Sequence, residues 1–234
     1  MFTAIPMPRS EWDERGGSSA LSLIGAAGAL IGAITAAVYF VLSHFGVNPL
    51  LTTLFASFSP HILSGFLHLD GYMDVSDAVL SHRDREGRLK ILKDSHCGSF
   101  AVIMIVMLAS ALLFCTHGAV LMNISPWFFF AVPIISRSAA GLALLTLKPL
   151  EGSSLGKYFT QNKKPVHSVI LAATLLIGII IAIAVSSPYM IVLPIISYAI
   201  ALASVYRSLG GINGDVTGFL ICVTEAALIA GVIL

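Results

Sequence analysis

The sequence predicts an all-α, polytopic integral membrane protein of about seven transmembrane helices with a cytoplasmic amino terminus. Of the 234 residues, 57% are apolar and only 11% are charged, whereas a soluble domain carries about 25% charged residues. The mean hydropathy is +0.93. Apolar stretches recur along the chain, and the basic residues fall between them. This composition excludes a disordered chain, and a net charge of +1 gives no reason to expect a nucleic-acid partner.

Seven stretches have the roughly 20 mostly apolar residues that a transmembrane helix needs. They cover residues 21–43, 50–67, 99–122, 126–147, 168–187, 189–206 and 216–234. The second stretch is interrupted by Pro60 and His61. A short turn at Pro188 is all that separates the fifth from the sixth, which predicts a tight helical hairpin. Because no internal repeat or shift in composition divides the chain, we expect a single domain over residues 1–234.

The basic residues predict the orientation of these helices. With seven spans, 12 of the 13 Lys and Arg residues fall in the amino-terminal arm or in the loops after the second, fourth and sixth spans. The short loops on the other side carry none. Since cytoplasmic loops are enriched in Lys and Arg, the long loops are expected in the cytoplasm, at the cell membrane, and the carboxyl terminus outside.

The three cysteines give no sign of a structural site. Cys97, Cys115 and Cys222 form neither a CxxC pair nor an even-numbered framework. A disulfide scaffold or a zinc centre is therefore not indicated.

An acidic stripe follows the second apolar stretch. Asp70, Asp74 and Asp77 are spaced i, i+4 and i+7, which places them within an arc of about 60° on a helix. Carboxylates grouped in this way repel one another. Either they are solvated residues at a helix end, or they hold a divalent cation such as Mg²⁺, which takes one or two carboxylates together with water and phosphate oxygens.

A basic stretch comes next. Arg85, Arg88 and Lys93 alternate with acidic and apolar residues, which predicts a short amphipathic helix at the membrane surface. Anchoring to anionic lipid headgroups explains these cations, and so does binding the phosphates of a ligand beside the acidic stripe. The polar turn that starts at Asp94 is placed to add a further ligand.

Two ionisable residues lie inside apolar stretches. Arg137 and Glu225 are each about 15 Å from a membrane surface, at 1.5 Å per residue. Since intramembrane charges are usually paired and functional, we expect the two to face each other or to line one polar cavity. A structural ion pair that sets helix packing is an equally good interpretation.

Three smaller features complete the candidate site. The glycine-rich segment 210–218 carries Asn213 and Asp215 at the start of the last span, where Asp215 can cap the helix and free N–H groups can receive a phosphate. This motif alone favours an ordinary helix cap. Residues 150–159 are flexible enough for a lid. His68 is of interest because it lies beside Asp70.

Two segments carry a resemblance to a known family. HLDGYMDVSDAVL at 68–80 and DREGRLKILKDSHCGSF at 84–100 closely resemble the signature of cobalamin synthase, the adenosylcobinamide-GDP ribazoletransferase family. Ser136–Arg137, Glu151–Gly152 and Gly214–Asp215 followed by Glu225 agree in order and spacing. The chain departs from the family pattern at Ala78, at Ala4 and at His96–Cys97.

The resemblance implies a Mg²⁺-dependent reaction at the cytoplasmic membrane. A ribose hydroxyl of α-ribazole, or of its 5′-phosphate, attacks the cobinamide-attached phosphorus of adenosylcobinamide-GDP and releases GMP. It also implies roles for the candidate residues: Asp70, Asp74 and Asp77 as catalytic metal ligands, Asp94 as ligand or general base together with His68, and the rest as contacts to substrate or phosphate. That last group is Arg85, Arg88, Lys93, Arg137, Asn213, Asp215 and Glu225.

The expected partners are the corrinoid nucleotide, α-ribazole and the lipid bilayer, with a second copy of the chain or other cobalamin-assembly enzymes beside them. Two alternatives stay open. A CDP-alcohol phosphotransferase also places several Asp on membrane helices, although Asp74 stands where that family has Ala. A cation transporter would use Arg137, Glu225 and the acidic stripe as an ion path, although the remaining charges cluster on one side.

Overall fold

The computed structural model describes residues 2–5 and 16–234, and these residues form an all-α protein, as predicted. The one extended pairing in this part of the chain is a bridge between Pro149 and Ile212. The helices are α1 (Gly17–Ser22), α2 (Ile24–His44), α3 (Pro49–Leu63), α4 (Leu67–Leu80), α5 (Arg85–Ile91), α6 (Ser99–Leu121), α7 (Pro126–Thr146), α8 (Ser154–Thr160), α9 (Pro165–Val185), α10 (Val192–Leu209) and α11 (Gly214–Ile233), with a 3₁₀ turn at Pro188–Ile191.

Six segments are long and apolar enough to cross a membrane, and each matches one of the predicted stretches to within a few residues. They are Gly17–His44, Ser99–Leu121, Pro126–Thr146, Pro165–Val185, Pro188–Leu209 and Gly214–Ile233. Helices α3 and α4 together make a seventh only if the bent pair is counted as one span. The count of about seven is thus confirmed by length and composition.

The second predicted stretch, 50–67, is helical only as far as Leu63. Helix α3 starts at Pro49, where the Asn48 side chain accepts from the N–H of Leu50 at 2.8 Å, and it ends at Leu63. The chain then turns by 87° into α4. Gly65 and Phe66 adopt φ angles of +63° and +60°, which a helix cannot continue through. The acidic stripe therefore lies on a separate helix.

The predicted tight hairpin of the fifth and sixth stretches is also wrong. Helix α9 packs mainly against α7, and α10 packs against α11. The two helices share the connecting turn but diverge beyond it, because each buries its contact face on a different neighbour. A groove lined by residues of α7, α9, α10 and α11 separates them.

Helix α7 lies at the centre of the bundle, in contact with α2, α9 and α11, and is the most deeply buried span. Helices α5 and α8 and the segments 81–84, 92–98, 148–153 and 207–213 meet at one end of the bundle, called the charged end below. Every described Lys and Arg residue other than Arg137 belongs to this end or to the loop between α8 and α9, which carries Lys163 and Lys164. Arg9 and Arg15, which entered the orientation prediction, lie outside the described residues.

Candidate active site

The acidic stripe lies on α4, which carries His68, Asp70, Asp74 and Asp77 on a single helix. The expected helical spacing of the three carboxylates is therefore confirmed. Helix α4 packs against α11 and α6. Its apolar face is buried through Val75 and Ala78, which leaves the carboxylates on the remaining surface of the helix.

Two glycines bring α4 and α11 close together. A Cβ at Gly71 would lie 2.7 Å from the carbonyl oxygen of Asp215, and one at Gly218 would lie 3.0 Å from the carbonyl oxygen of His68. The rings of Tyr72 and Phe219 stack beside this contact at 5.3 Å. Gly71 lies against Asp215, whereas His68, earlier in α4, lies against Gly218, later in α11. The two helices are therefore antiparallel, and the first turn of α11 lies beside the middle of the stripe.

This packing adds a fourth carboxylate to the stripe. Asp74 has Asp70, Asp77 and Asp215 as its charged neighbours. Asn213 donates to Asp215 Oδ2 at 2.7 Å, and its own Oδ1 accepts from the N–H of Val216 at 3.0 Å. The cap of α11 is thus Asn213, and the expectation that Asp215 caps the helix is wrong. The capping amide orients Asp215 toward the stripe.

Asp77 has a different setting from the other carboxylates. Gly98 is the N-cap of α6, and the Asp77 carboxylate lies where a Cβ on Gly98 would be. The N-terminus of a helix stabilises a nearby negative charge. Asp77 therefore has local electrostatic support from α6.

The carboxylates fit Mg²⁺ in chemistry but do not converge as a ready-made cage. Among the described residues, no group of three or more His, Cys, Asp or Glu side chains is placed to hold one ion. Asp70 and Asp77, at the two ends of the stripe, are separated by about 10 Å along the helix axis. An ion here would take water and phosphate oxygens for most of its ligands. Asp74 has Asp70 and Asp215 among its charged neighbours, and the predicted metal ligands Asp70, Asp74 and Asp77 stay a prediction.

A polar pocket of about 290 Å³ opens at the charged end beside Asp215. Its lining includes Lys93, Asn213 and Asp215 from the predicted set, together with the loop from Leu150 to Leu155. This loop belongs to the segment that was predicted to be a lid, and it forms one wall. The pocket therefore combines a cation and a carboxylate with Gly214 at the start of α11.

The other predicted cations have separate surroundings. Arg85 Nε donates to the carbonyl of Leu209 at 3.0 Å, at the end of α10, and its Nη2 lies 3.5 Å from Glu151 Oε2. Arg88 has a buried Nε without a hydrogen-bond partner. Arg85 thus ties α5 to α10. Of the four predicted phosphate cations, which include Arg137, only Lys93 lines the pocket.

Asp94 lies in the exposed turn before α6. Its Oδ1 accepts from His96 Nδ1 at 2.6 Å and from the His96 N–H at 3.0 Å. These hydrogen bonds lower the pKa of Asp94, and the carboxylate in turn raises the pKa of His96 above its usual value. Asp94 is therefore held ionised, which suits a cation contact better than a role as general base.

Arg137 and Glu225 form a buried ion pair, and the expectation that they face each other is confirmed. Arg137 Nη1 lies 2.6 Å from Glu225 Oε1, with the Arg137 side chain fully buried and that of Glu225 3% exposed. Arg137 Nη2 donates to Ser64 Oγ at 2.9 Å, and Ser136 Oγ donates to Glu225 Oε1 at 3.0 Å. A phosphate would reach Arg137 only if this pair opened, so direct contact to substrate stays a prediction.

The ion pair also holds the bend between α3 and α4. Ser64 is the C-cap of α3, and His61 Nε2 lies 4.0 Å from Glu225 Oε2. Both are buried, as is His68 in the first turn of α4, whose Nε2 has no hydrogen-bond partner. Sequence reasoning missed His61, Ser64 and Ser136. A signal existed, because Thr53, Ser57, His61 and Ser64 form a polar stripe on an otherwise apolar segment.

The amino-acid sequence is similar to those of known proteins. A sequence model described as cobalamin-5-phosphate synthase matches residues 1–233. A protein of Clostridium perfringens (strain ATCC 13124) is 38% identical over 239 residues, covering 100% of this chain and 95% of the relative. Relatives from Clostridium botulinum (strain Alaska E43) and Geobacillus thermodenitrificans are 36% and 33% identical, covering 96% and 94% of this chain and 90% and 87% of the relatives. All three are named adenosylcobinamide-GDP ribazoletransferase. No solved structure matches the chain.

Proposed function

This chain belongs to the cobalamin-5-phosphate synthase family, and we propose that it joins α-ribazole, or its 5′-phosphate, to adenosylcobinamide-GDP. The products are adenosylcobalamin, or its 5′-phosphate, and GMP. The observation that carries the proposal is the family match over residues 1–233, together with full-length relatives that bear the name of this activity. The same match favours this function over the phosphotransferase and transporter alternatives.

The reaction is a phosphoryl-group transfer whose atoms balance without any further reactant. A ribose hydroxyl oxygen bonds to the phosphorus attached to cobinamide, and the bond from that phosphorus to the bridging oxygen breaks. The bridging oxygen leaves with GMP, and the hydroxyl proton passes to a carboxylate. Such a transfer needs positive charge near the phosphates and a nearby proton acceptor.

The charged end offers both requirements. Lys93 and Gly214, at the start of α11, line the polar pocket, which suits the diphosphate of the substrate and the phosphate of the leaving GMP. Asp70, Asp74 and Asp215 would hold Mg²⁺, which neutralises charge on transferring phosphates when bound. In this proposal a carboxylate of the stripe that does not hold the ion accepts the proton. Asp70, next to Gly71 at the tightest contact with α11, is the carboxylate on which we expect activity to depend most.

The proposal includes a location for the protein. The apolar helices indicate a multi-pass membrane protein, and the basic residues gathered at the charged end favour a cytoplasmic position for that end. The site would then face the compartment that holds nucleotides. A second copy of the chain or other cobalamin-assembly enzymes are proposed as neighbours in the membrane.

The test is release of GMP from adenosylcobinamide-GDP by membranes that contain the protein, with α-ribazole and Mg²⁺. We expect activity in the wild type, loss on chelation with recovery on added Mg²⁺, and a decrease of about 100-fold or more in Asp70→Asn. Glu86→Gln is the matched control, because Glu86 is an exposed acid on α5 paired only with Lys90 at 2.9 Å. Absence of GMP, or full activity of Asp70→Asn, would overturn the proposal.

A further inference from the structure

A groove runs along the bundle where α9 and α10 diverge. Its volume is about 430 Å³, and α7 and α11 form its floor. Representative lining residues are Ala139, Leu142, Leu175, Tyr198 and Leu202. The helices around it are membrane-spanning segments by length and composition. In a membrane the groove would therefore lie among lipid-facing helices, and it shares no lining residue with the polar pocket beside Asp215.

The walls of this groove present hydrocarbon. Three side chains in its lining carry hydroxyl groups, and each one donates to a backbone carbonyl. Tyr198 bonds to Ala139 at 2.9 Å, Thr224 bonds to Leu220 at 2.6 Å, and Thr146 bonds to Leu142 at 2.6 Å. A ligand with polar groups along its length would gain nothing here and would lose its hydration. The lining thus favours an alkyl chain.

The length of the groove suits one leaflet of a membrane. Its floor extends on α7 from Ile135 to Leu147, which is about 18 Å at 1.5 Å per residue. Half of a hydrocarbon core is about 15 Å. An acyl chain that enters from one leaflet would fill the groove along its length.

Cations lie at one end of the groove. Lys163 Nζ donates to the carbonyl of Leu145 at 3.2 Å, adjacent to Thr146 and Leu147 in the lining. Lys148 follows directly in sequence, with its ammonium exposed and 3.5 Å from Glu151 Oε1. Two ammonium groups at the mouth of an apolar groove complement a phosphate attached to an acyl chain.

A second groove provides the contrast. It lies between α2 and α7 at the opposite end of the bundle and is lined by residues that include Ala37, Phe40, Trp127 and Phe130. The loops beside it, 45–48 and 122–125, carry no Lys or Arg. An acyl chain seated there would have no cation to select its headgroup.

We propose that the groove between α9 and α10 is a binding site for an anionic phospholipid. One acyl chain lies in the groove, and the headgroup phosphate is held by Lys148 and Lys163. The site is separate from the proposed catalytic residues, and the inference does not depend on the proposed function.

The test is lipid binding to the detergent-purified full chain, measured by native mass spectrometry and thermal unfolding with dioleoylphosphatidylglycerol or dioleoylphosphatidylcholine. We expect retention of phosphatidylglycerol and a larger rise in Tm with it than with phosphatidylcholine. The double variant Lys148→Gln/Lys163→Gln should weaken phosphatidylglycerol binding about tenfold or more and bind the two lipids equally.

Substitutions to tryptophan that fill one groove or the other test which groove binds the lipid. Ala199 is exposed on the groove wall, so Ala199→Trp should displace the bound lipid without entering the core. Ala37→Trp, in the second groove, should leave phosphatidylglycerol binding unchanged. Equal effects of the two lipids on the wild type, or unchanged binding in the lysine double variant, would overturn the proposal. A dimer that Ala199→Trp dissociates would assign the groove to a second copy of the chain and overturn it as well.

Discussion

Two groups of charged side chains lie within the helical body of this protein, and they differ in how their charge is compensated. At the bend between α3 and α4, Arg137 and Glu225 neutralise each other and are enclosed by Ser64 and Ser136. At the acidic stripe, Asp70, Asp74 and Asp215 gather carboxylates without an ion pair among the described residues. The first group is neutral as an ion pair, although Arg137 Nε has no hydrogen-bond partner, whereas the carboxylates of the second have no opposite charge paired with them among the described residues.

This difference predicts a structural role for the ion pair and is consistent with the proposed catalytic role of the acidic stripe. Removing one partner of a buried ion pair leaves the other charge uncompensated. Substitution of either residue alone should therefore lower the free energy of unfolding. A cluster of like charges costs free energy until a cation binds. Substitutions in the two regions should therefore have opposite effects on the free energy of unfolding.

The largest effect is expected at the ion pair. Arg137→Gln should lower the free energy of unfolding by about 3–5 kcal/mol, because Glu225 is left buried without its partner. Unfolding in detergent, followed by circular dichroism, measures this. The double variant Arg137→Gln/Glu225→Gln should recover part of the loss, since no charge is then buried alone. An Arg137→Gln variant with wild-type stability and full activity would contradict the assignment.

A smaller loss of stability is expected where α4 meets α11. Gly71→Ala places a Cβ against the backbone of Asp215, and this overpacking should cost about 1–3 kcal/mol. Gly118→Ala is the matched control, because its Cβ would meet only side-chain methyl groups of Ile233 at 3.3 Å. Unfolding and GMP release measured together should show that Gly71→Ala also reduces activity. Equal stability of the two variants would contradict the close contact.

The acidic stripe should respond in the opposite direction. Asp74→Asn removes repulsion with Asp70 and Asp215, so the chelated protein should gain about 0.5–1 kcal/mol of stability. Wild-type protein should gain about 1.4 kcal/mol when Mg²⁺ exceeds its Kd tenfold, and Asp74→Asn should gain less. Thermal unfolding with and without chelator compares these values. A wild-type Tm that does not change with Mg²⁺ would count against the metal site.

The smallest effect is a titration at the exposed turn. Because Asp94 raises the pKa of His96, the protonated imidazole persists above its usual range, and the pair weakens as pH rises through that raised pKa. At the acid end the pair weakens as pH falls through the lowered pKa of Asp94. NMR titration of the His96 ring should show its pKa return to about 6.5 in Asp94→Asn. An identical pKa in both proteins would show that the contact is absent in solution.

Features that depend on residues close together in the sequence were predictable from the sequence. The hydropathy of 20-residue windows located six spans, because each helix satisfies its own backbone hydrogen bonds within the membrane. The 3.6-residue period placed Asp70, Asp74 and Asp77 on one helix. The deep positions of Arg137 and Glu225 pointed to a pair. The first two inferences use patterns that a single segment contains. The third was possible because Arg137 and Glu225 were the two charges deep inside the predicted spans.

Tertiary structure decided what distant residues do to one another. The 87° turn after Leu63 arises where Ser64 meets an arginine 73 residues away, and hydropathy does not report such a contact. Asp215 joins the stripe because Gly71 and Gly218 admit two backbones to close range. Helices α9 and α10 diverge because α9 packs against α7 and α10 packs against α11. The sequence by itself determined which segments are helices and which carry charge. Packing between segments determined which charges are neutralised and which stay open to a ligand, because that depends on contacts that no local pattern encodes.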